Sequence, residues 1–225
     1  LGTDSRGWDV LAQIYGGLQL VFQAAFIYLG VTYAIGITLG SLMGYLGGAF
    51  DIVVQRLIEI LANVPFLYVV IIIADRLGRD DVTLVTILLV LCIFSWIGIT
   101  YYMRTAAYRE KARDYVAAAR VLGAGPVRVI FRHVLPNSVS IVVTLLPFSV
   151  VGVITALTAL DFIGFGLPDK YPSWGRILQD GVTNLDYPWI VASVFGGMVA
   201  VLLLVTFVGE AVREAFDPKK FTTYR

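Results

Sequence analysis

DYVAAARVLGAGPVRVIFRHVLPN, residues 114–137, lies between two long apolar runs, yet it is basic, rich in helix formers and punctuated by glycine and proline. Around its start, Tyr108, Ala112, Tyr115, Ala119 and Leu122 repeat at spacings of four and three, while Glu110, Arg113 and Arg120 fall elsewhere on the wheel. That pattern predicts a short amphipathic helix. Gly123 suits a helix-ending residue of positive φ, and Pro126, preceded by Gly125, suits the first turn of a new helix. The second helix is predicted to reach about Val134, with Val127, Ile130, Phe131 and Val134 on its apolar side and Arg128 and Arg132 on the other. Pro136 is then expected to end it and start the next segment. Two short helices joined by a defined elbow make a stiff protrusion. A floppy connector needs no such design, and a polybasic lipid-binding patch needs no elbow.

Outward from this stretch the composition changes sharply. The 225 residues are 58% hydrophobic and only 15% charged, and the mean hydropathy is +0.82. A soluble domain carries about a quarter charged residues, so this composition is that of a membrane protein. Asp, Glu, Lys and Arg are absent from Val10 to Phe50, Val82 to Met103, Asn137 to Leu160 and Tyr187 to Gly209. Each gap is long enough to cross a bilayer as a helix, which takes ~20 apolar residues. A further span over 51–74 contains Pro65 and a polar stripe of Gln55, Arg56, Glu59 and Asn63 that suits a pore or a neighbouring subunit; a partly interfacial segment is the alternative. The expected architecture is an all-α, polytopic helical bundle with spans at 18–47, 51–74, 82–104, 137–160 and 187–210.

Charge sets the orientation. From Arg104 to His133 there are seven Lys or Arg residues against two acidic ones, and such an excess marks the cytoplasmic side. With alternating spans, residues 1–9, 75–81 and 161–186 lie outside, holding five basic and nine acidic residues; the inner segments hold twelve and seven. The amino end and loop 161–186 are therefore expected outside, and loop 105–136 and the carboxyl end inside, in the cytoplasm.

Gly36, Gly40, Gly44 and Gly48 recur every four residues, which predicts a face where another helix approaches closely. Charges sit only near span ends, which disfavours an ion-coupled carrier. No HExxH, GxSxG, phosphate-binding glycine loop or Cys/His cluster is present. The single histidine, His133, lies among Arg128 and Arg132 and has neither a nucleophile nor a second ligand nearby in sequence, so a helix-terminal role is preferred to a catalytic one. Cys92 is alone within an apolar span, as suits a core thiol.

Ala118-Ala119, Gly123 four positions on, and Leu135-Pro136 together resemble the EAA signature of bacterial ABC-importer permeases. The wider pattern DYVAAARVLGAG…FRHVLPNS is similar to the C-type permease of the dipeptide/oligopeptide branch. Ala117 stands where the signature often has glutamate, and His133 where it often has an aliphatic residue. The resemblance covers the whole chain: LGTDSRGWDVLAQIYGG at 1–17, with Trp8 for the usual arginine, GYLGGAFD at 44–51, LDFIGFGLP at 160–168, PSWGRIL at 172–178 and VREAFDPKK at 212–220. RLIEI, PNSVSIVVTLLPF and LTALDFIGFGLP look closest to the microcin C/oligopeptide-type permease.

This resemblance implies a type I ABC-importer permease core in a bacterial inner membrane, whose loop 105–136 forms a coupling helix seated in a separate ATPase. The family's first helix, ahead of the LGTD element, is expected to be missing from this chain. The implied partners are a homologous permease, two cytoplasmic ATPase subunits, a periplasmic or lipid-anchored substrate-binding protein and membrane lipids; nucleic acid is not among them. No cofactor or catalysis is implied for the chain itself, since ATP and Mg belong to the ATPases. The implied docking residues are Tyr115, Ala118, Ala119, Leu122, Gly123, Leu135 and Pro136. Arg113, Arg120, Arg128 and Arg132 fit acidic ATPase residues, lipid phosphates or a solvated face equally well. Gln55, Glu59, Asn63 and Asp161 are candidates for lining the pathway, with helix packing as the alternative. The cargo implied is peptides or peptide-like compounds; nickel or another small cargo, or a channel or carrier working without ATP, are the competing readings.

Overall fold

The computed structural model describes Gly2–Gly78 and Asp81–Phe216. Arg79 and Asp80 of the 75–81 loop, and the end of the VREAFDPKK element, lie outside the described residues. Among those residues every regular element is helical, apart from one isolated bridge between Thr3 and Asp9. The elements are α1 (Val10–Leu46), α2 (Gly48–Ala62), α3 (Phe66–Leu77), α4 (Leu84–Lys111), α5 (Asp114–Val121), α6 (Pro126–Val129), a π turn (Ile130–Val134), α7 (Leu135–Asn137), α8 (Val139–Phe162), α9 (Trp174–Thr183) and α10 (Pro188–Ala215). Four of them, α1, α4, α8 and α10, are long and apolar enough to cross a membrane.

The 51–74 segment differs from the single helix expected. It is broken between α2 and α3, which meet at a bend of 67°. Pro65 is the cause: it has no N–H to donate to the preceding turn, and its ring disfavours helical backbone at the residue before it. The C-cap residue Asn63 keeps αR geometry, and its side-chain amide donates to the Glu59 carbonyl at 2.7 Å.

The chain divides into two compact units. One comprises Leu1–Tyr28, Phe66–Leu91 and Pro147–Val208. Its core gathers Val10, Val21, Ile154, Ile177, Ile190 and Val194 around Trp174, whose indole N–H donates to the Ile14 carbonyl at 2.9 Å. Gly17 leaves room for that ring, since a Cβ there would fall 2.5 Å from Trp174 Cδ1. The amino-terminal loop is knotted around Asp4, whose Oδ1 accepts from the backbone N–H groups of Arg6 (3.0 Å) and Trp8 (2.8 Å) and whose Oδ2 accepts from the Gln13 amide (2.9 Å). Burial alone would raise its pKa, but these bonds and the Arg6 charge hold the carboxyl below the usual range.

The other unit comprises Leu29–Pro65, Cys92–Leu146 and Gly209–Arg225. Its organising contact is between α1 and α4. A Cβ at Gly36 would run into Ile99 and the Trp96 carbonyl, at Gly40 into Thr100, Met103 and Arg104, and at Gly44 into Arg104, Ala107 and Tyr108. The two backbones therefore touch, as small-residue repeats permit. Gly48 departs from the expected stripe: it starts α2 with φ +58, and open space surrounds it. Beyond the joint, Arg104 donates to both oxygens of Asp51 at 2.6 Å, fixing α2 to α4.

Gly40→Ala is expected to lower stability by about 1–3 kcal/mol, the cost of overpacking a close helix contact. Gly30→Ala, in open space on the same helix, should be neutral or slightly stabilising. Thermal unfolding of both variants in the same detergent checks this, and equal midpoints would refute the close approach.

Candidate functional site

The segment singled out from the sequence forms a compact elbow. The expected amphipathic helix through Tyr108–Leu122 is interrupted: α4 stops at Lys111, and α5 begins at Asp114. The interruption is organised by Glu110, which the wheel placed away from the apolar face and which is in fact buried, at 6% exposure. Its carboxylate accepts the Tyr115 hydroxyl at 2.7 Å and the Arg109 Nε at 3.3 Å, and pairs with Arg113 at 3.8 Å. Burial and this bond to a carboxylate push the Tyr115 phenol up to about 12, so at neutral pH it stays a donor.

The buried face of α5 is Val116 and Ala119, packed with Tyr45, Ala107, Val129, Ile130 and Val134. The helix closes with a double bond: the Gly123 N–H donates to the Arg120 carbonyl at 2.9 Å and the Ala124 N–H to Ala119 at 3.0 Å. This Schellman closure needs a left-handed residue, which Gly123 supplies at φ +83. Gly125 turns extended, and Pro126 opens α6, as its fixed φ favours.

From there the chain departs from expectation. Val129, Ile130 and Val134 face inward, whereas Val127 and Phe131 are exposed. Nor does Pro136 end the helix: Ile130–Val134 widen into a π turn, the helix passes through Pro136, and the break comes at Ser138. A wide turn leaves room for the ring and for the bond that proline cannot make.

Of the residues named for docking, Ala118, Leu122, Gly123 and Pro136 are exposed, while Tyr115, Ala119 and Leu135 turn inward. Sequence reasoning missed Val121 and Val127, which with Leu122 are 88%, 67% and 87% exposed. Arg120 is turned back on the fold: its Nε donates to the Tyr45 hydroxyl at 3.0 Å, and its guanidinium lies 5.0 Å from the centre of that ring. Lys111 stands over the same ring at 5.7 Å. Arg128 and Arg132 are exposed.

The polar stripe on α2 is bonded to itself and, through Gln55, to α4. Gln55 Nε2 donates to Tyr101 (3.1 Å) and Glu59 (3.5 Å), and Arg56 pairs with Glu59 at 2.5 Å. Asp161, 6% exposed at the end of α8, takes the Leu167 N–H (2.7 Å) and the Ser173 hydroxyl (2.5 Å), tying down the loop that leads into α9. That loop encloses a cavity of about 300 Å³, bordered by Asp161, Asp169, Arg176 and Gln179. Among the described residues no three His, Cys, Asp or Glu side chains gather where a metal could sit.

Comparison with known proteins places these features in context. Residues 36–222 match the family described as "Binding-protein-dependent transport system inner membrane component". The chain is 41% identical over 220 residues to the peptidoglycan transport system permease protein YejE of Agrobacterium fabrum, covering 98% of this chain but only 57% of that relative's length. It is 30% identical to the oligopeptide transport system permease protein OppC of Haemophilus influenzae, covering 97% of this chain and 70% of that one. A solved structure of the MetNI methionine ABC transporter in an inward-facing conformation shares its fold, with a TM-score of 0.68 at 14% identity over 90% of this chain and 95% of that one.

Tyr115→Phe removes the donor to Glu110 and should cost the elbow about 1–2 kcal/mol, a partner lost from a buried carboxylate. Faster hydrogen exchange at the α5 amides, with α1 unchanged, checks it. Because the phenol's folded pKa is raised, its contribution is fully present below the unfolded value of ~10 and is lost as pH rises through about 12. An absorbance titration of wild type minus Tyr115→Phe should show the late-ionising phenol.

Proposed function

This chain belongs to the family of binding-protein-dependent transport system inner membrane components, and from that premise we propose that it is the multi-pass inner-membrane permease of an ATP-driven ABC importer for peptides or peptide-like compounds. It forms half of the translocation pathway; a homologous permease supplies the other half, two ATPase subunits dock below, and a substrate-binding protein delivers cargo. The chain itself performs no catalysis. The positive-inside bias puts the elbow and the carboxyl end in the cytoplasm.

The observation that carries this reading is the surface of the elbow. Val121 and Leu122 are almost fully bare, beside the small Ala117 and Ala118, on a helix whose other face is clamped by Glu110, Tyr115 and Tyr45. Exposed apolar side chains on a rigid support mark a protein contact. Ala118, Leu122, Gly123 and Pro136, with Val121, form the docking surface, whereas Tyr115, Ala119 and Leu135 hold its shape. ATP shifts the transporter between states only through the differential affinity of the ATPases for each, and the docked elbow carries that difference. Gln55, Glu59 and Asn63 line the pathway, and Asp161 borders it through the loop it organises. The similarity to a peptidoglycan and an oligopeptide permease supports the peptide class of cargo.

Leu122→Asp and Ala118→Trp alter exposed positions and are expected to spare folding while reducing co-purification of the ATPases and ATP-driven uptake by about tenfold or more. Gly123→Pro, which forbids positive φ, should abolish uptake with the protein still in the membrane. Undiminished uptake by all three would contradict the docking role. Mass spectrometry of what the purified binding protein holds tests the cargo: peptides are expected, and a metal ion would overturn that class.

A further inference from the structure

We propose that the Arg120–Tyr45 pair is the positioning link by which movement imposed on the elbow reaches the end of α1. The inference rests on the docking role given to the elbow above. α5 is only eight residues long and buries just Val116 and Ala119; the Tyr115–Glu110 bond ties its start to α4, and Arg120 ties its end to α1. Apolar contacts slide, but Arg120 holds Tyr45 in two ways at once, by the 3.0 Å bond to the hydroxyl and by the guanidinium lying 5.0 Å over the ring. Tyr45 is itself 5% exposed and is the next-to-last residue of α1.

Directly beyond the end of α1 the backbone forms a joint. Gly47 and Gly48 have φ +66 and +58, a left-handed pair that only glycine adopts readily, and no atom lies within 4 Å of where their Cβ atoms would be. On the far side of the joint, Asp51 is fastened to α4 by both Arg104 bonds. The double glycine is thus bracketed on one side by Tyr45, which α5 holds through Arg120 and α4 through Ala107 and Lys111, and on the other by Asp51, which is held on α4. A shift of α5 moves Tyr45 while Asp51 stays with α4, and the two glycines take up the change in backbone angle. Hinges of this kind absorb large φ/ψ changes over a few residues. Coupling then runs through a contiguous chain of contacts, Leu122 to Arg120 to Tyr45 to Gly47-Gly48, as energetic coupling between distant sites requires a bistable element.

The test uses the complete transporter, with this chain's Cys92→Ser and a spin label on Leu46→Cys, and reads the spectral change on adding ATP, Mg and vanadate. In the parent the label should respond to nucleotide. Arg120→Met should reduce that response about fivefold with ATPase subunits still bound in normal ratio and basal ATP hydrolysis retained. Tyr45→Phe, which keeps the ring and loses only the acceptor, should reduce it less, and Arg120→Lys should restore part of it. If Arg120→Met does not assemble, the Tyr45→Phe response decides. An unchanged response per assembled complex, or a fall in thermal stability without loss of response, overturns the link. Failure of the ATPases to co-purify even with the parent chain would instead remove the docking role on which it rests.

Discussion

The close approach of α1 and α4 is the constraint on which the functional end of this protein depends. With side chains at Gly36, Gly40 and Gly44 the two helices would stand apart. Without them, α4 is held in fixed register, and that register carries Arg104 to Asp51 and Ala107, Lys111 and Glu110 to the places where the elbow is built. The interaction is dispersion and backbone proximity over several turns, the means available where lipid provides no hydrophobic drive between helices. Nothing in the elbow itself is large enough to create this geometry; it inherits it.

The basic residues of the loop illustrate how one charge serves two purposes. Counted as a block, seven Lys or Arg residues between positions 104 and 133 are the excess from which a cytoplasmic side is expected. Taken singly, most are occupied within the fold: Arg104 with Asp51, Arg109 and Arg113 with Glu110, Lys111 and Arg120 with Tyr45. Arg128 and Arg132 stand exposed on the same loop. Its outward character is more apolar than its composition suggests.

Much of this was legible from the residues alone, and the limits have physical causes. Long uncharged runs are an unmistakable signal because a charge inside a bilayer is so costly, so the helical class and the long apolar helices could be read directly. Gly123 and Pro126 marked the elbow because glycine alone takes positive φ at little cost and proline fixes φ for a helix start. The break at Pro65 was visible as a proline, but its 67° bend was not, since the angle depends on what α2 and α3 pack against. Glu110 and Tyr45 escaped notice for different reasons. Glu110 looked like one more solvated charge, and its burial depends on Tyr115 folding back over it. Tyr45 lies 75 positions from Arg120, and no periodicity connects them. The wheel likewise put Leu122 on one stripe with Tyr115 and Ala119; the helix is interrupted after Lys111, and Leu122 is bare where those two turn inward.

The bare Val121 and Leu122 also bear on how the chain fares on its own. Two aliphatic side chains nearly 90% accessible to water on a stiff scaffold cannot tuck themselves away, so the chain by itself displays an adhesive spot. Under the proposed docking role, assembly conceals that spot and gives cellular quality control a physical criterion for telling a covered subunit from a bare one.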